Sequence, residues 1–151
     1  MQPLNLPPLS LRLHRTARGQ EQIFDPLRRK YVRLTPEEWV RQHFTNYLIH
    51  HMGYPAALLA NEVGIEVNGV TRRCDSVLYH RTGGRPHMII EYKAPTVPIT
   101  QAVFQQIYAY NFALHADYLI VSNGLQHCCC KIDYTTLSTL FLPDIPPYSA
   151  L

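Results

Sequence analysis

The sequence predicts one α/β domain, built as an α/β sandwich with a central mixed sheet flanked by helices. The chain has 151 residues, a usual length for one domain. Its residues are 46% hydrophobic and 17% charged, which provides a core and excludes a disordered polyelectrolyte. Hydrophobic periodicity gives the element order α-β-β-β-α-β-β. We place an N-terminal extension at residues 1–20, the domain at 21–133 and an irregular tail at 134–151.

The first helix has a clear start signal. Thr35 suits the N-cap, Pro36 suits the first helical position, and Glu38 can close a capping box. The helix is expected to run to His51 and to end before Gly53. Its mostly apolar face carries Val40, Phe44, Tyr47, Leu48 and His51. Before this helix, only residues 9–13 and 31–34 have patterns that allow short extended segments.

An antiparallel meander and a βαβ unit are predicted after the first helix. The predicted strands are residues 60–67, 70–80 and 85 or 86–93, followed by a helix at 100–115 and strands at 118–122 and 125–133. Asn68-Gly69 and Asn123-Gly124 are strong hairpin-turn signals. The helix at 100–115 should bury Val103, Phe104, Ile107, Tyr110 and Leu114. Because it connects two strands of one sheet, those strands should run parallel.

Composition indicates which partners and which cellular location to expect. A net charge of +3 weakly favours anionic partners. No apolar segment approaches the ~20 residues that cross a bilayer, and Pro3, Pro7 and Pro8 interrupt any signal-peptide core. We therefore expect a cytoplasmic protein without a membrane partner.

Cysteine and histidine spacing gives no metal motif. The four cysteines include the run 128–130 and contain no C-x-x-C pair, so reduced core residues are expected. Among eight histidines, His80 and His87 flank the Gly83-Gly84 turn, but no H-E-x-x-H or H-x-H occurs. A histidine metal site is not predicted.

Three charged residues carry the predicted chemistry. Glu91 and Lys93 are two residues apart on one strand, so they share a face about 6.6 Å apart. Asp75 lies on the preceding strand, and hairpin pairing would bring it beside Glu91. Two carboxylates with an adjacent lysine form a Mg²⁺ site suited to phosphodiester hydrolysis. The competing interpretation is an ordinary cross-strand ion pair between Asp75 and Lys93.

This pattern resembles the PD-(D/E)xK nuclease superfamily, and most closely the N-terminal nuclease domain of type I restriction enzyme R subunits. The signature corresponds to Cys74-Asp75 and Glu91-Tyr92-Lys93, with Cys74 in place of the usual proline. The first-helix acid corresponds to Glu38, with Glu37 as an alternative. The Q-x-x-x-Y motif of the RecB-like branch corresponds to Gln106 and Tyr110. The resemblance covers roughly residues 21–133 and implies a restriction-endonuclease-like fold.

The resemblance implies roles for these residues. Asp75, Glu91 and the Tyr92 carbonyl would bind Mg²⁺, and Lys93 would position the attacking water. Glu38, Gln106 and Tyr110 would assist catalysis, although Glu38 can be only a capping residue and the other two only a helix pair. Nucleic-acid contacts are expected from Arg28, Arg29, Lys30, Arg33, Arg72 and Arg73, although the first four can equally form a solvated face.

The implied function is Mg²⁺-dependent endonuclease activity on DNA. The alternative is a nucleic-acid-binding or interaction module that retains the fold without turnover. R subunits carry helicase motors, which this sequence lacks, so we expect restriction-system or helicase subunits from other chains, a stand-alone protein, or a domesticated relic of such a subunit. A homodimer is also compatible, because many such nucleases cut two strands as dimers.

Overall fold

The computed structural model describes residues 1–151 and contains nine strands and two α-helices. The strands are β1 (Leu13–Arg15), β2 (Glu21–Asp25), β3 (Lys30–Arg33), β4 (Leu59–Val67), β5 (Val70–Tyr79), β6 (Pro86–Tyr92), β7 (Tyr118–Ser122), β8 (His127–Asp133) and β9 (Ser138–Leu142). The helices are α1 (Pro36–His51) and α2 (Gln101–Asn111). Neither helix combines the length and apolar character needed to span a membrane.

The strands form two sheets. The first three make a small antiparallel sheet, and the other six make a mixed sheet in the order β4-β5-β6-β7-β8-β9. Within the large sheet only β6 and β7 run parallel, and α2 connects them. The predicted α/β class, the meander and the βαβ unit are therefore confirmed.

Local capping explains where α1 begins. The hydroxyl of Thr35 accepts a hydrogen bond from the backbone N–H of Glu38, and Pro36 occupies the first helical position. One side of the helix buries Val40, Phe44 and Leu48 completely. The helix ends at His51, as predicted, and Gly53 follows with φ +74°, in the left-handed region.

The six-stranded sheet has a hydrophobic core on each face. Met88 and Ile90 pack on the α1 side, whereas Ile89 packs with Phe104 and Ile107 on the α2 side. The cysteine run follows the same alternation: Cys129 packs on the α1 side, and Cys128 and Cys130 pack on the α2 side. In β6 and β8, alternation of side chains along the strand therefore decides which core each residue joins.

The end of the chain differs from the predicted irregular tail. β9 pairs with β8 as the last strand of the large sheet. Ile145 is buried in the α1-side core, and the hydroxyl of Tyr54 donates to the carbonyl of Pro146 at 2.8 Å. Consecutive apolar residues in β9 hide the alternation that marks a strand, and the following prolines resemble a tail.

The other differences from the predicted elements are small. β2 was not predicted. β8 begins two residues later than expected, because the Asn123 side chain accepts hydrogen bonds from the N–H groups of Leu125 and Gln126 and so extends the turn. α2 ends at Asn111 and continues as a 3₁₀ turn at Phe112–Leu114. The first residues also contact the domain: the N–H of Asn5 donates to the carbonyl of Gly124 at 2.8 Å.

Candidate functional site

A charged cavity of about 540 Å³ opens beside the middle of β5 and the C-terminal end of β6. Only three of its 13 lining residues are hydrophobic. Five of the predicted catalytic and metal-binding residues meet there, namely Glu38, Asp75, Glu91, Tyr92 and Lys93, and two predicted nucleic-acid-binding residues, Arg28 and Arg33, also line it, as does Glu37. This cavity is therefore where the sheet brings the predicted signature together.

Register places three carboxylates in a row across three neighbouring strands. Ser76 on β5 pairs with Ile90 on β6, so the next residues along, Asp75 and Glu91, lie opposite each other. On the other side of β5, Asn61 pairs with Ser76 and Val63 pairs with Cys74, so Glu62 on β4 lies opposite Asp75. All three acids line the cavity.

The two central carboxyl groups interact directly. Burial, the negative charge of Asp75 and a hydrogen bond between the two side chains raise the pKa of Glu91 well above its ordinary value. Asp75 Oδ2 also accepts a hydrogen bond from the Tyr92 N–H at 2.8 Å, and Glu91 Oε1 accepts one from Asn111 Nδ2 at 3.4 Å. The pair therefore resists double ionisation in the absence of a compensating cation.

Arg41 is the cation nearest this row, and the sequence reasoning missed it. Its side chain is 4% exposed and pairs with Glu62, while one guanidinium nitrogen lies 3.8 Å from Asp75 Oδ1. Its Nε lies 3.7 Å from Glu38 Oε2. Arg41 is three residues after Glu38, a spacing that shares a helix face and could have identified it. Its Nε and Nη1 are buried without a hydrogen-bond partner.

Glu62 was also missed, although turn geometry could have identified it. The two-residue Asn68-Gly69 turn sets Val67 opposite Val70, and counting back along both strands places Glu62 opposite Asp75. Glu62 has φ +55°, a conformation that few residues other than glycine adopt and that clusters at functional sites. Burial disfavours its charged form, but hydrogen bonds and charge from Arg41 and Arg73 outweigh burial and lower its pKa.

Glu38 lies deeper than Glu37. Glu38 is 6% exposed, pairs with Arg28 and Arg41, and accepts a hydrogen bond from Gln42. Glu37 is exposed at the edge of the cavity. Of the two alternatives, Glu38 is the acid that the fold turns toward the carboxylate row.

Lys93 lines the cavity just beyond β6. Its backbone N–H donates to the carbonyl of Ser122 at 2.8 Å, which continues the β6–β7 ladder and fixes its position. Asp75 pairs with Arg41 rather than with Lys93. The competing interpretation of an Asp75–Lys93 ion pair therefore does not describe this structure.

Gln106 and Tyr110 lie outside the cavity. Ile107 and Asn111 face inward instead, because a shift of one helix position turns a side chain by about 100°. The Tyr110 hydroxyl accepts a hydrogen bond from the Arg73 N–H at 3.2 Å. Tyr110 is 41% exposed, so its predicted place on the buried side of the helix was wrong.

The predicted nucleic-acid-binding residues fall into two groups. Arg28 is largely buried in ion pairs with Asp25 and Glu38. Of the others, Arg29, Lys30, Arg33 and Arg73 are exposed, Arg33 lines the cavity, and the half-buried Arg72 lies over the Tyr110 ring at 4.6 Å. The exposed charge among the predicted residues therefore lies in this second group.

The donor chemistry of the cavity fits Mg²⁺. Carboxylate oxygens from Asp75 and Glu91 are the hard ligands that this ion prefers, and one or two carboxylates are usual. A divalent cation would also relieve the repulsion that keeps Glu91 protonated. Arg41 already provides one positive charge at the row, so an ion would share the carboxylates with it.

Comparison with known proteins identifies a family. A family model described as the type I restriction enzyme R protein N terminus (HSDR_N) matches residues 36–146. The match begins with α1 and extends past β9, so it includes every acid of the cavity and leaves out the small N-terminal sheet. Neither the search of curated proteins nor that of solved structures found a match.

Proposed function

Because this chain belongs to the family of type I restriction enzyme R protein N-terminal domains, we propose that it is a Mg²⁺-dependent nuclease domain that hydrolyses DNA phosphodiester bonds. The observation that supports this most is the carboxylate row with Lys93 beside it in one cavity. A purely structural domain has no need to hold three acids side by side, because such charges repel one another.

Asp75 and Glu91 would hold the ion, with the Tyr92 carbonyl as a further ligand. When bound, Mg²⁺ supplies positive charge that stabilises the anionic transition state of phosphoryl transfer. Glu91 gives up its proton on binding, since its raised pKa keeps it protonated without a cation. Lys93 holds the attacking water and balances charge that develops on the phosphate.

Arg41 and Glu38 would position the row. Arg41 pairs with Glu38 and Glu62 on either side of Asp75 and fixes the direction of the acids. Its Nη1 is buried without a hydrogen-bond partner and is an unused donor within this charged cluster. We assign Gln106 and Tyr110, which lie outside the cavity, to the DNA-facing surface with Arg72 and Arg73.

The family also bears on partners. DNA is the proposed substrate, and subunits of a restriction system are the proposed protein partners. The exposed Arg29, Lys30, Arg33 and Arg73 would contact phosphates without reading sequence.

Plasmid cleavage by the full chain, with Mg²⁺ or EDTA, tests this proposal. Wild type should cut only with the divalent ion, and Asp75→Ala or Glu91→Ala should lose ion binding and cleavage together. Lys93→Ala should retain the ion and bind DNA, but its rate should fall about 100-fold or more. Lys131→Ala, which removes an exposed lysine on β8, is the matched control and should cut as wild type does.

Two outcomes would contradict the proposal. If Lys93→Ala cuts as fast as wild type, the catalytic assignment is wrong. If wild type binds DNA in Mg²⁺ but cuts neither plasmid, linear duplex nor single strand, the chain is a nucleic-acid-binding module instead.

A further inference from the structure

A second group of residues with ligand-type side chains lies where β5 ends and β6 begins. His80 follows β5, His87 is the second residue of β6, and Asp117 directly precedes β7. His87 is four residues before Glu91, which corresponds to about 13 Å along the strand. The group is therefore separate from the carboxylate row.

Strand pairing brings the three residues together. Met88 pairs with Tyr118 in the parallel ladder, so His87 and Asp117 are neighbours one position earlier. Across the hairpin the register shifts between Leu78 and Tyr79, and the His80 N–H donates to the carbonyl of Arg85 at 2.8 Å. The three residues therefore come from separate parts of the chain. A search for a local motif such as H-E-x-x-H does not find such a group.

The ligand atoms are close and directed at one another. Asp117 Oδ2 lies 2.8 Å from His80 Nε2 and 2.8 Å from His87 Nδ1. All three ligand atoms lie within 4.8 Å of one another. Ligands around a tetrahedral zinc ion are about 3.3 Å apart, given bond lengths near 2.0–2.1 Å. Small side-chain rotations are therefore enough to admit an ion.

We propose that His80, His87 and Asp117 bind a divalent transition-metal ion of the zinc type. Two imidazoles and one carboxylate are ligands that Zn²⁺ accepts, and three protein ligands leave a position for water. The side chains are 23%, 16% and 32% exposed, so an ion can enter from solvent.

Neighbouring groups support this geometry and also compete with it. The Tyr118 ring packs edge-on against His87 with the ring centroids 5.5 Å apart, and the Asp117 carbonyl accepts a hydrogen bond from the Ile132 N–H at 2.9 Å. Both contacts hold ligands in place. Arg85 Nη2 lies 3.4 Å from His80 Nε2, but this exposed side chain can move to solvent when a cation binds.

The ion would join the β5–β6 hairpin to the start of β7. Since the unfolded chain does not hold these residues together, binding energy adds to the stability of the fold. A hydrogen-bonded trio of two histidines and one aspartate without metal is the competing interpretation, and it predicts no such stabilisation.

Zinc binding by the full chain separates these interpretations. The parent variant is Asp75→Asn, which weakens ion binding at the carboxylate row. Equilibrium dialysis against Zn²⁺ should give one bound ion per chain, Co²⁺ should give the intense visible absorption of a four-coordinate site, and Zn²⁺ should raise Tm. His80→Ala with His87→Ala should weaken zinc binding by about 100-fold or more, beyond the usual effect of residues that only support ligands.

Matched controls make the result specific. His50→Ala with His51→Ala removes two exposed histidines from α1 and should leave zinc binding unchanged, and Arg85→Ala should bind zinc at least as tightly. If the histidine double variant does not fold, Asp117→Asn keeps the hydrogen-bonding shape and should still lose the ion. The proposal is overturned if the parent binds no stoichiometric zinc, or if removing His80 and His87 leaves the affinity unchanged.

Discussion

Arg41 offsets the repulsion among the acids of the carboxylate row in the folded chain. Three acids on neighbouring strands would repel one another, and this buried guanidinium lies among Glu38, Glu62 and Asp75. Burial alone would lower the pKa of Arg41, but the charges of Glu38 and Glu62 outweigh burial and raise it. The side chain therefore remains charged and stabilises the row.

Replacing Arg41 with methionine should destabilise the protein by about 3 kcal/mol, since Asp75 loses its cationic partner and Glu38 and Glu62 keep only Arg28 and Arg73. Urea denaturation in EDTA measures this loss, and added Mg²⁺ should restore part of it because the ion replaces the missing charge.

Arg73→Met is the matched control for this change. Arg73 pairs with the same Glu62, but its side chain is 69% exposed, so its loss should cost less than about 1 kcal/mol. Equal effects of the two substitutions would show that Arg41 does not stabilise the row.

Glu91 should make the free energy of unfolding of the metal-free protein depend on pH. Above the ordinary carboxyl pKa of 4.5 the unfolded chain loses this proton while the folded chain, with its raised pKa, retains it. The folded state then binds more protons, so the Glu91 contribution to the free energy of unfolding falls as pH rises from 4.5 until the folded pKa is passed.

Glu91→Gln should remove this part of the pH dependence. Denaturation midpoints in EDTA across this range measure it, with Glu37→Gln at the exposed edge of the cavity as control. A Glu91→Gln protein whose stability varies with pH as wild type does would contradict the assignment.

At the scale of elements, the cap of α1 both stabilises the helix and presents the site. Thr35 accepts a hydrogen bond from the N–H of Glu38, so the residue that starts the helix also fixes the backbone of the buried acid. Thr35→Ala should cost about 1 kcal/mol of unfolding free energy, measured by chemical denaturation. Thr35→Ser retains the hydroxyl and should recover most of it, and failure to do so would exclude the cap as the cause.

The turn between β4 and β5 also acts at the scale of elements. The Asn68-Gly69 hairpin sets the register of β4 on β5, and that register places Glu62 opposite Asp75. A shift of one residue would turn every side chain of β4 to the other face of the sheet. The third acid of the row therefore depends on a turn several residues away.

For the whole molecule, the last segment of the chain belongs to the folding unit. Ile145 is 8% exposed in the α1-side core, so Ile145→Ala should destabilise the protein by roughly 2–4 kcal/mol. Leu137→Ala changes a side chain that is 70% exposed and should stay within about 0.5 kcal/mol of wild type. Thermal and urea unfolding compare them, and a neutral Ile145→Ala would mean that residues after β8 contribute little.

The large sheet also presents two groups of ligand-type residues, one across the middle of β5 and the C-terminal end of β6, and one where β5 ends and β6 begins. Pairing of neighbouring strands brings residues far apart in sequence together in both places. The acids collect beside α1 and Lys93, and the histidines collect beside Asp117.

Local signals in the sequence were sufficient for most of the fold. The Thr35 cap, the Asn-Gly turns and the two hydrophobic periods predicted α1, the meander and the βαβ unit, because these signals act over only a few residues. They also predicted that Asp75, Glu91 and Lys93 would share one place, since strand alternation and hairpin pairing are short-range rules.

Tertiary structure alone decided the rest. The phase of α2 on the sheet turned Asn111 inward and Gln106 and Tyr110 outward, and only packing sets that rotation. Packing of α1 on the sheet placed Arg41 among the acids, and strand pairing joined His80 and His87 to Asp117. These contacts join residues of different elements, and their energies depend on burial and mutual distance, which no short stretch of sequence encodes.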